Sequence, residues 1–453
     1  MALSARAQAQ QTRPRLLQAM VDSWSQRDVR AKLLFVFAML VVFRFVAHIP
    51  IPGVNPTALD AAFESGGSTG AFLGTLNIFS GGALRQLSVA ALGVYPYITA
   101  SIIMQIMTPM IPRLQALSRE GEQGRNRIQL YTHWLAVPMA VIQGYSQLII
   151  LQNFGGAPIL DHPVGLTGPA ALPTFAAVIS MTAGTMFLVW LGELITEKGI
   201  GNGISLIIFG GIVAGIPQLL PSIFDSSVSF FGLILLALIV LVAVTSIVFF
   251  QEAQRRIPVQ YSRTQFRGGR QYRQQGSTNI PLRILSAGMI PIIFAYSIML
   301  VPSFIGETLA TSSSGFSNDV GNLLTDAFGQ QNLPYYLIVF VFVVLFTYFY
   351  TLVTYSQQNL AENLQKQGGF IPGIRPGRPT NEYIQRVLVR ITAAGAIFLG
   401  VIAVMPYFAT TLTDVQALTI SGTGLLIVVG VVLDTMKQLE AQLMMRNYSG
   451  FIR

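Results

Sequence analysis

The groups best placed to do chemistry in a hydrophobic setting are Glu193, Glu197, Asp434, Arg44 and Arg85. Ionisable groups within a membrane are the ordinary mark of an ion or proton pathway. Here their placement argues against one. The carboxylates fall near the ends of apolar runs, and none sits in the middle of one. Arg44 lies late in the first run, where it is expected to snorkel to the outer interface, and Arg85 opens the second. His48, His133 and His162 are scattered without metal-ligand spacing and read as interfacial residues. The chain has no cysteine, which excludes a disulfide framework and a thiolate metal site. It also lacks a Gly-x-x-x-x-Gly-Lys-Ser/Thr loop, so no means of using ATP is evident. The glycine-rich "GIGNGIS", Gly199 to Ser205, follows a helix rather than a strand and lacks the dinucleotide-binding spacing, so it reads as a tight turn. No catalytic residue, cofactor or metal is expected.

The elements that must position these groups are long and apolar. Of 453 residues, 52% are hydrophobic and only 10% charged, against about 25% charged in soluble domains. Such a chain belongs in lipid. A spanning helix needs about 20 apolar residues, and about ten runs qualify, near 33–50, 83–108, 128–151, 173–195, 202–221, 228–250, 281–304, 334–356, 386–408 and 413–436. The first is expected to be a retained span rather than a cleaved signal. Lys and Arg fall in alternate connections. The N-terminal tail, the stretches 109–127, 251–280 and 357–385 and the C-terminal tail are basic, and the fourth connection holds Lys198. The odd-numbered connections carry none. By the positive-inside rule both termini are cytoplasmic. The net charge of +9 therefore marks the cytoplasmic face, where a large partner could dock.

Two runs share a pattern. "GVYPYITA", Gly93 to Ala100, and "GMIPIIFA", Gly288 to Ala295, both read Gly-x-x-Pro-x-Ile-x-Ala. Each lies in the second run of a five-helix set, and two sets of five face opposite ways across a membrane, as in inverted-repeat transporters. Pro96 and Pro291 are expected to interrupt their helices. Ahead of the second run lies "TGAFLGTLNIFSGG", Thr69 to Gly82. Its apolar part, Ala71 to Phe79, would make a helix of only about 14 Å, too short for an apolar layer of about 30 Å. Glycines bracket it like joints.

Several motifs together resemble the SecY family, the central subunit of the protein-translocation channel. They are "NIFSGGALRQLSVAALGVYPYITASIIMQIM", "EGEQGRNRIQLYT", "GTMFLVWLGELITEKGIGNGISLIIFGGIVAG", "FIPGIRPGRPT" and "GTGLLIVVGVVLDT", in order from about residue 30 to 445. The resemblance implies an all-α membrane protein with ten transmembrane helices in two inverted five-helix halves around a central hourglass pore. The expected divisions are a tail at 1–32, a first half at 33–221 including a plug at 70–80, a second half at 222–436 and a tail at 437–453. Matched position by position, a constricting ring falls on Val94, Ile98, Ile204, Ile208, Ile293 and Ile427. The plug falls on Phe72, Leu73, Leu76, Asn77, Ile78 and Phe79, and polar lateral-gate positions on Ser101 and Gln105. Partner docking falls on Arg255, Arg256, Arg267 and Arg375. The implied partners are the small membrane subunits SecE and SecG, the motor ATPase SecA, the ribosome, signal peptides and nascent chains, and membrane lipids. The implied location is the plasma membrane.

The residues alone leave alternatives open. Ten spans with inverted repeats also suit a secondary transporter of small solutes, which predicts polar or charged groups at the midplane, where aliphatic residues stand instead. A non-conducting membrane scaffold is the third reading. Each ring residue taken singly reads as ordinary core packing, Gln105 equally as a helix–helix hydrogen bond, and Ala71 to Phe79 also as an interfacial helix.

Overall fold

The computed structural model describes residues 26–55, 58–59, 77, 80–153, 160, 162–223, 230–267, 270–286, 288, 290–310, 315–328, 333–358, 360–413 and 421–449. In chain order the helices are α1 (Arg27–Val46), α2 (Tyr95–Met110), α3 (Pro112–Arg119), α4 (Glu122–Asn153), α5 (Ala171–Lys198), α6 (Gly203–Ile223) and α7 (Phe230–Glu252). Two strands follow, β1 (Gln254–Arg267) and β2 (Arg270–Arg283). Then come α8 (Ile290–Ala310), α9 (Gly315–Phe328), α10 (Leu333–Gln358), α11 (Leu360–Lys366), β3 (Gly369–Phe370), α12 (Arg378–Thr413) and α13 (Ser421–Ser449).

Among the described residues four helical stretches are long and apolar enough to cross a membrane: Gly168–Lys198, Ile234–Glu252, Leu333–Lys366 and Arg378–Ala409. At 28 residues, α5 runs about 42 Å, ample for a hydrocarbon layer of about 30 Å. Large apolar side chains stand outward along these helices, including Leu241 (64% exposed), Phe249, Trp190 and Ile397. Contiguous apolar surface of this kind suits lipid rather than water.

The chain divides into two units. One comprises Met1–Thr99, Trp134–Phe224 and Ile427–Arg453; the other comprises Ala100–His133 and Asp225–Leu426. In the first, α1 packs on α5 and α6, and α5 packs on α6. Small residues let α5 and α6 approach: a Cβ on Gly203 would fall onto the Gly192 carbonyl, the close contact that membrane helices favour. The turn between them is tight, as expected of "GIGNGIS". Gly201 takes a φ of +97°, Asn202 caps α6 by accepting the Ser205 N–H at 3.2 Å, and Thr196 Oγ1 accepts the Gly203 N–H at 2.8 Å.

In the second unit α8 packs on α9 and α10, and α10 and α7 pack on α12. Phe250 of α7 stacks on Phe398 of α12 at 3.9 Å between ring centroids. The Tyr296 hydroxyl on α8 donates to the Ala403 carbonyl on α12 at 2.8 Å.

Three expectations change. The expected all-α class becomes mostly helical with a small sheet, because the connection after α7 forms a hairpin with strand order β2-β1-β3. Ile257 and Val259 alternate with exposed residues, and their buried face packs with Leu282, Tyr355, Leu364 and Ile384. The second and seventh runs also become helical later than expected, at Tyr95 and Ile290. Pro96 and Pro291 are each the second residue of their helix, where no N–H is needed, so they open the helices instead of interrupting them. Third, the stretch from Ala83 to Val94 is buried but largely non-helical. It bridges Pro50 to Ser88, and a Cβ on Gly184 of α5 would strike the Val89 backbone. Irregular backbone inside a membrane protein is stable when protein encloses it in this way.

Candidate functional site

Five of the six expected ring residues lie in the first unit. Val94, 1% exposed, ends the buried stretch before α2. Ile98 is half-buried one turn into α2, its N–H bonded to the Val94 carbonyl at 3.1 Å. Ile204 and Ile208 share a face of α6 by their four-residue spacing; Ile208 is buried, and Ile204 leans on Gly192 of α5. Ile427 is buried on α13. Ile293 is buried on α8, in the second unit. Every one of these side chains is aliphatic, so none can coordinate an ion or relay a proton.

Glu197 and Asp434 are exposed, and Glu193 is half-buried. Among the described residues no group of three His, Cys, Asp or Glu side chains could hold a metal. His48 follows α1 and His162 lies in the connection before α5, whereas His133 lies inside α4, about three turns from its start, rather than at a helix end. His48 Nδ1 lies 2.6 Å from the Arg44 carbonyl, and His48 and His162 are exposed.

Ser101 and Gln105 come together within α2, where the Gln105 amide donates to Ser101 Oγ at 3.3 Å. In the second unit Gln105 also lines a narrow cleft with Ile102 and Ile106, facing Pro291 and Phe294 of α8 and Phe346 and Tyr350 of α10. Phe294 and Phe346 meet edge to face at 4.3 Å. One amide therefore sits on a seam that is otherwise aliphatic and aromatic.

The two basic connections at 251–280 and 357–385 form one body. β1 pairs with β3 through Gln260 opposite Phe370 and Tyr261 opposite Gly369. The hairpin core includes Ile371, Ile384 and Leu388 beyond β3. Arg255 and Arg256 are exposed at the start of β1, and Arg267 ends that strand opposite Arg270. Arg375 is exposed on a turn whose shape is locked: Gly373 and Gly377 take φ of +82° and +103°. Thr380 Oγ1 donates to the Arg375 carbonyl at 2.8 Å. The charge pattern of the two connections does not announce their pairing; the alternation Ile257, Val259, Tyr261 carries its signal.

Of the expected plug, Asn77 is described; Phe72, Leu73, Leu76, Ile78 and Phe79 lie outside the described residues. Asn77 accepts the Gly82 N–H at 2.8 Å through its carbonyl and the Arg85 N–H at 3.0 Å through its side chain. Gly81 and Gly82 take φ of +69° and +85°. Gly81 is wedged between Phe43 of α1 and Gly211 of α6. At this end the glycines serve a close approach rather than a loose joint.

A family model described as SecY matches residues 88–436. The chain is 41% identical over 445 residues to the protein translocase subunit SecY of Streptomyces scabiei, covering 97% of this chain and 100% of that one. It is 42% identical over 451 residues to the same subunit of Mycobacterium tuberculosis strain H37Rv, with the same coverage. It is 41% identical over 438 residues to that of Halalkalibacterium halodurans, covering 94% and 97%. Among solved structures it resembles one described as a protein conducting channel, with TM-score 0.57, 18% identity and coverage of 90% and 91%. It also resembles one described by a SecY plug domain that stabilises the closed state of the translocation channel and maintains a membrane seal, with TM-score 0.59, 17% identity and the same coverage. A third is Sec61 in the canine ribosome-channel complex from the endoplasmic reticulum, with TM-score 0.56, 17% identity and again 90% and 91%. At such identities these structures speak for the fold. The match of the family model and the near-complete alignments with translocase subunits settle the family: this chain belongs to the SecY family.

Proposed function

We propose that the chain is the protein-conducting channel of a translocase, passing unfolded polypeptides across the plasma membrane and releasing hydrophobic helices sideways into lipid. The observation that carries this reading is the alignment with SecY translocase subunits over 97% of the chain. The aliphatic character of the ring positions agrees with it. Apolar constrictions resist water and ions by dewetting, and branched aliphatic side chains can seal around passing chains of any sequence. A secondary transporter of small solutes would place polar groups there instead.

In this reading ten helices form two inverted halves around an hourglass pore. Val94, Ile98, Ile204, Ile208, Ile293 and Ile427 form its constriction, and the segment at 70–80, with Asn77 at its end, is the plug. The cleft at Gln105 is the lateral gate. Gln105 and Ser101 weaken the seam so that a segment of about 20 apolar residues can leave for lipid. The chain has no catalytic role of its own. Its driving force comes from SecA or from the translating ribosome, and SecE and SecG are its membrane neighbours. The described Arg255, Arg256 and Arg375, carried on one packed body that this reading places in the cytoplasm, suit a phosphate-rich surface such as ribosomal RNA. The likeness to Sec61 in a ribosome-channel complex supports that docking. Both termini are cytoplasmic.

The test is photo-crosslinking. A photoreactive residue at Ile98 should capture a preprotein stalled in transit, and one at the lipid-facing Phe231 should not. Equal capture at both positions, or none at Ile98, would remove the pore assignment.

A further inference from the structure

Arg44 makes a defined contact within the protein. It is half-buried in the last turn of α1, and its Nη1 donates to the Gly81 carbonyl at 3.2 Å. The turn that it grips is itself tightly bonded. Ser80 Oγ donates to the Asn77 carbonyl at 3.0 Å and accepts the Leu84 N–H at 3.0 Å. The Gly82 and Arg85 N–H groups return to Asn77. Gly81 cannot shift toward its neighbours: a Cβ there would lie 2.8 Å from Phe43 Cζ, and one on Gly211 would fall onto the Gly81 backbone. Packing thus confines this peptide on two sides, and the guanidinium satisfies its carbonyl. A carbonyl in apolar surroundings is costly without a donor, and a charged donor forms the stronger bond.

We propose that Arg44 is a positioning residue, whose guanidinium seats the Ser80–Arg85 turn against α1 and α6. On the plug reading above, this turn is the root from which the plug leaves the channel wall, so Arg44 sets how firmly the closed channel is sealed. The competing role is local. A cation in the last turn of α1 interacts with the helix dipole, and that role would neither touch the turn nor require a planar donor.

Hydrogen exchange on the full-length channel in lipid nanodiscs separates the two. Arg44→Leu should speed exchange at the Gly82 and Arg85 amides by about tenfold, the scale of one lost charge-assisted bond. Exchange in α5 should stay unchanged. Arg44→Lys, a point donor without the fork, should restore protection in part. Unchanged exchange at Gly82 and Arg85, or an equal rise throughout α1 and α5, would overturn the assignment. Ion leak of vesicles carrying Arg44→Leu, or a deletion of Phe72 to Phe79, tests the consequence. If the deletion does not leak, the plug reading falls while the exchange result still decides the role of Arg44. If the deletion leaks and Arg44→Leu loosens the turn without leaking, the sealing role of Arg44 is overturned.

Discussion

Gly93 and Gly288 hold the same conformation at the same place ahead of two helices. Their φ angles are 57° and 60°. Each N–H closes a short turn, onto the carbonyl of Ala90 at 2.8 Å and of Leu285 at 3.2 Å. Each lies two residues before a helix whose second residue is proline. The echo in the sequence is therefore a repeated instruction for starting a helix late.

That geometry sets opposite expectations for glycine and proline. Gly93→Ala and Gly288→Ala force a side chain into the left-handed region and should each cost about 1–2 kcal/mol. At Gly288 the surrounding space is open, so backbone strain alone acts there. Pro96→Ala and Pro291→Ala should change stability by less than about 1 kcal/mol, because the first turn leaves that N–H without a helical partner. Thermal unfolding in detergent checks all four. A gain of about 3 kcal/mol from either proline variant would restore the interior-kink reading.

Two glycines of α6, one turn apart, offer an internal control. A Cβ on Gly211 would fall onto Gly81, whereas a Cβ on Gly215 meets nothing within 4 Å. Gly211→Ala should destabilise by about 1–3 kcal/mol, as overpacking does. Gly215→Ala should be neutral or slightly stabilising through helix propensity. Equal melting temperatures for the two variants would contradict the wedge.

The body built on β1, β2 and β3 predicts a separation of stability from docking. Ile257→Ala empties a buried position in the sheet core and should cost about 2–4 kcal/mol. Arg255→Glu, Arg256→Glu and Arg375→Glu alter exposed side chains and should leave stability within about 0.5 kcal/mol. On the proposed docking, they should weaken ribosome co-sedimentation and flatten its salt dependence. Unchanged binding in the triple variant would place the ribosome elsewhere.

At the seam, Gln105→Leu removes the amide from the cleft beside Phe294 and Phe346. The two sides should then hold more tightly, and membrane insertion of weakly apolar segments should fall while secretion of soluble preproteins persists. A glycosylation or protease assay of insertion reads this directly. Equal insertion would assign Gln105 to packing within α2.

Helices with long apolar runs were readable because span length is imposed by the bilayer: α5 and α7 lie within a few residues of the expected 173–195 and 228–250. The tight turn at Gly199–Ser205 was also readable, from glycine and Asn202. The hairpin was not. Pro258 and Pro281 argue against strands, and the arginines of the connection already had a reason in topology. Its signals were the alternation at Ile257, Val259 and Tyr261 and the Gly268-Gly269 pair. The role of Arg44 was hidden because its acceptor is a backbone carbonyl distant in sequence, which no side-chain pattern records. The late helix starts were written in Gly93 and Gly288, but in a long apolar run proline reads first as a kink.

Transport itself is the most direct test of the central claim. The channel should be reconstituted into vesicles with a translocation ATPase, and a secretory preprotein supplied with ATP. Protein conduction predicts that the preprotein becomes protected from external protease, and that protection requires ATP and disappears when detergent opens the vesicles. A preprotein that stays fully digestible, with the channel correctly oriented and the ATPase active, would contradict the assignment of this chain as a protein-conducting channel.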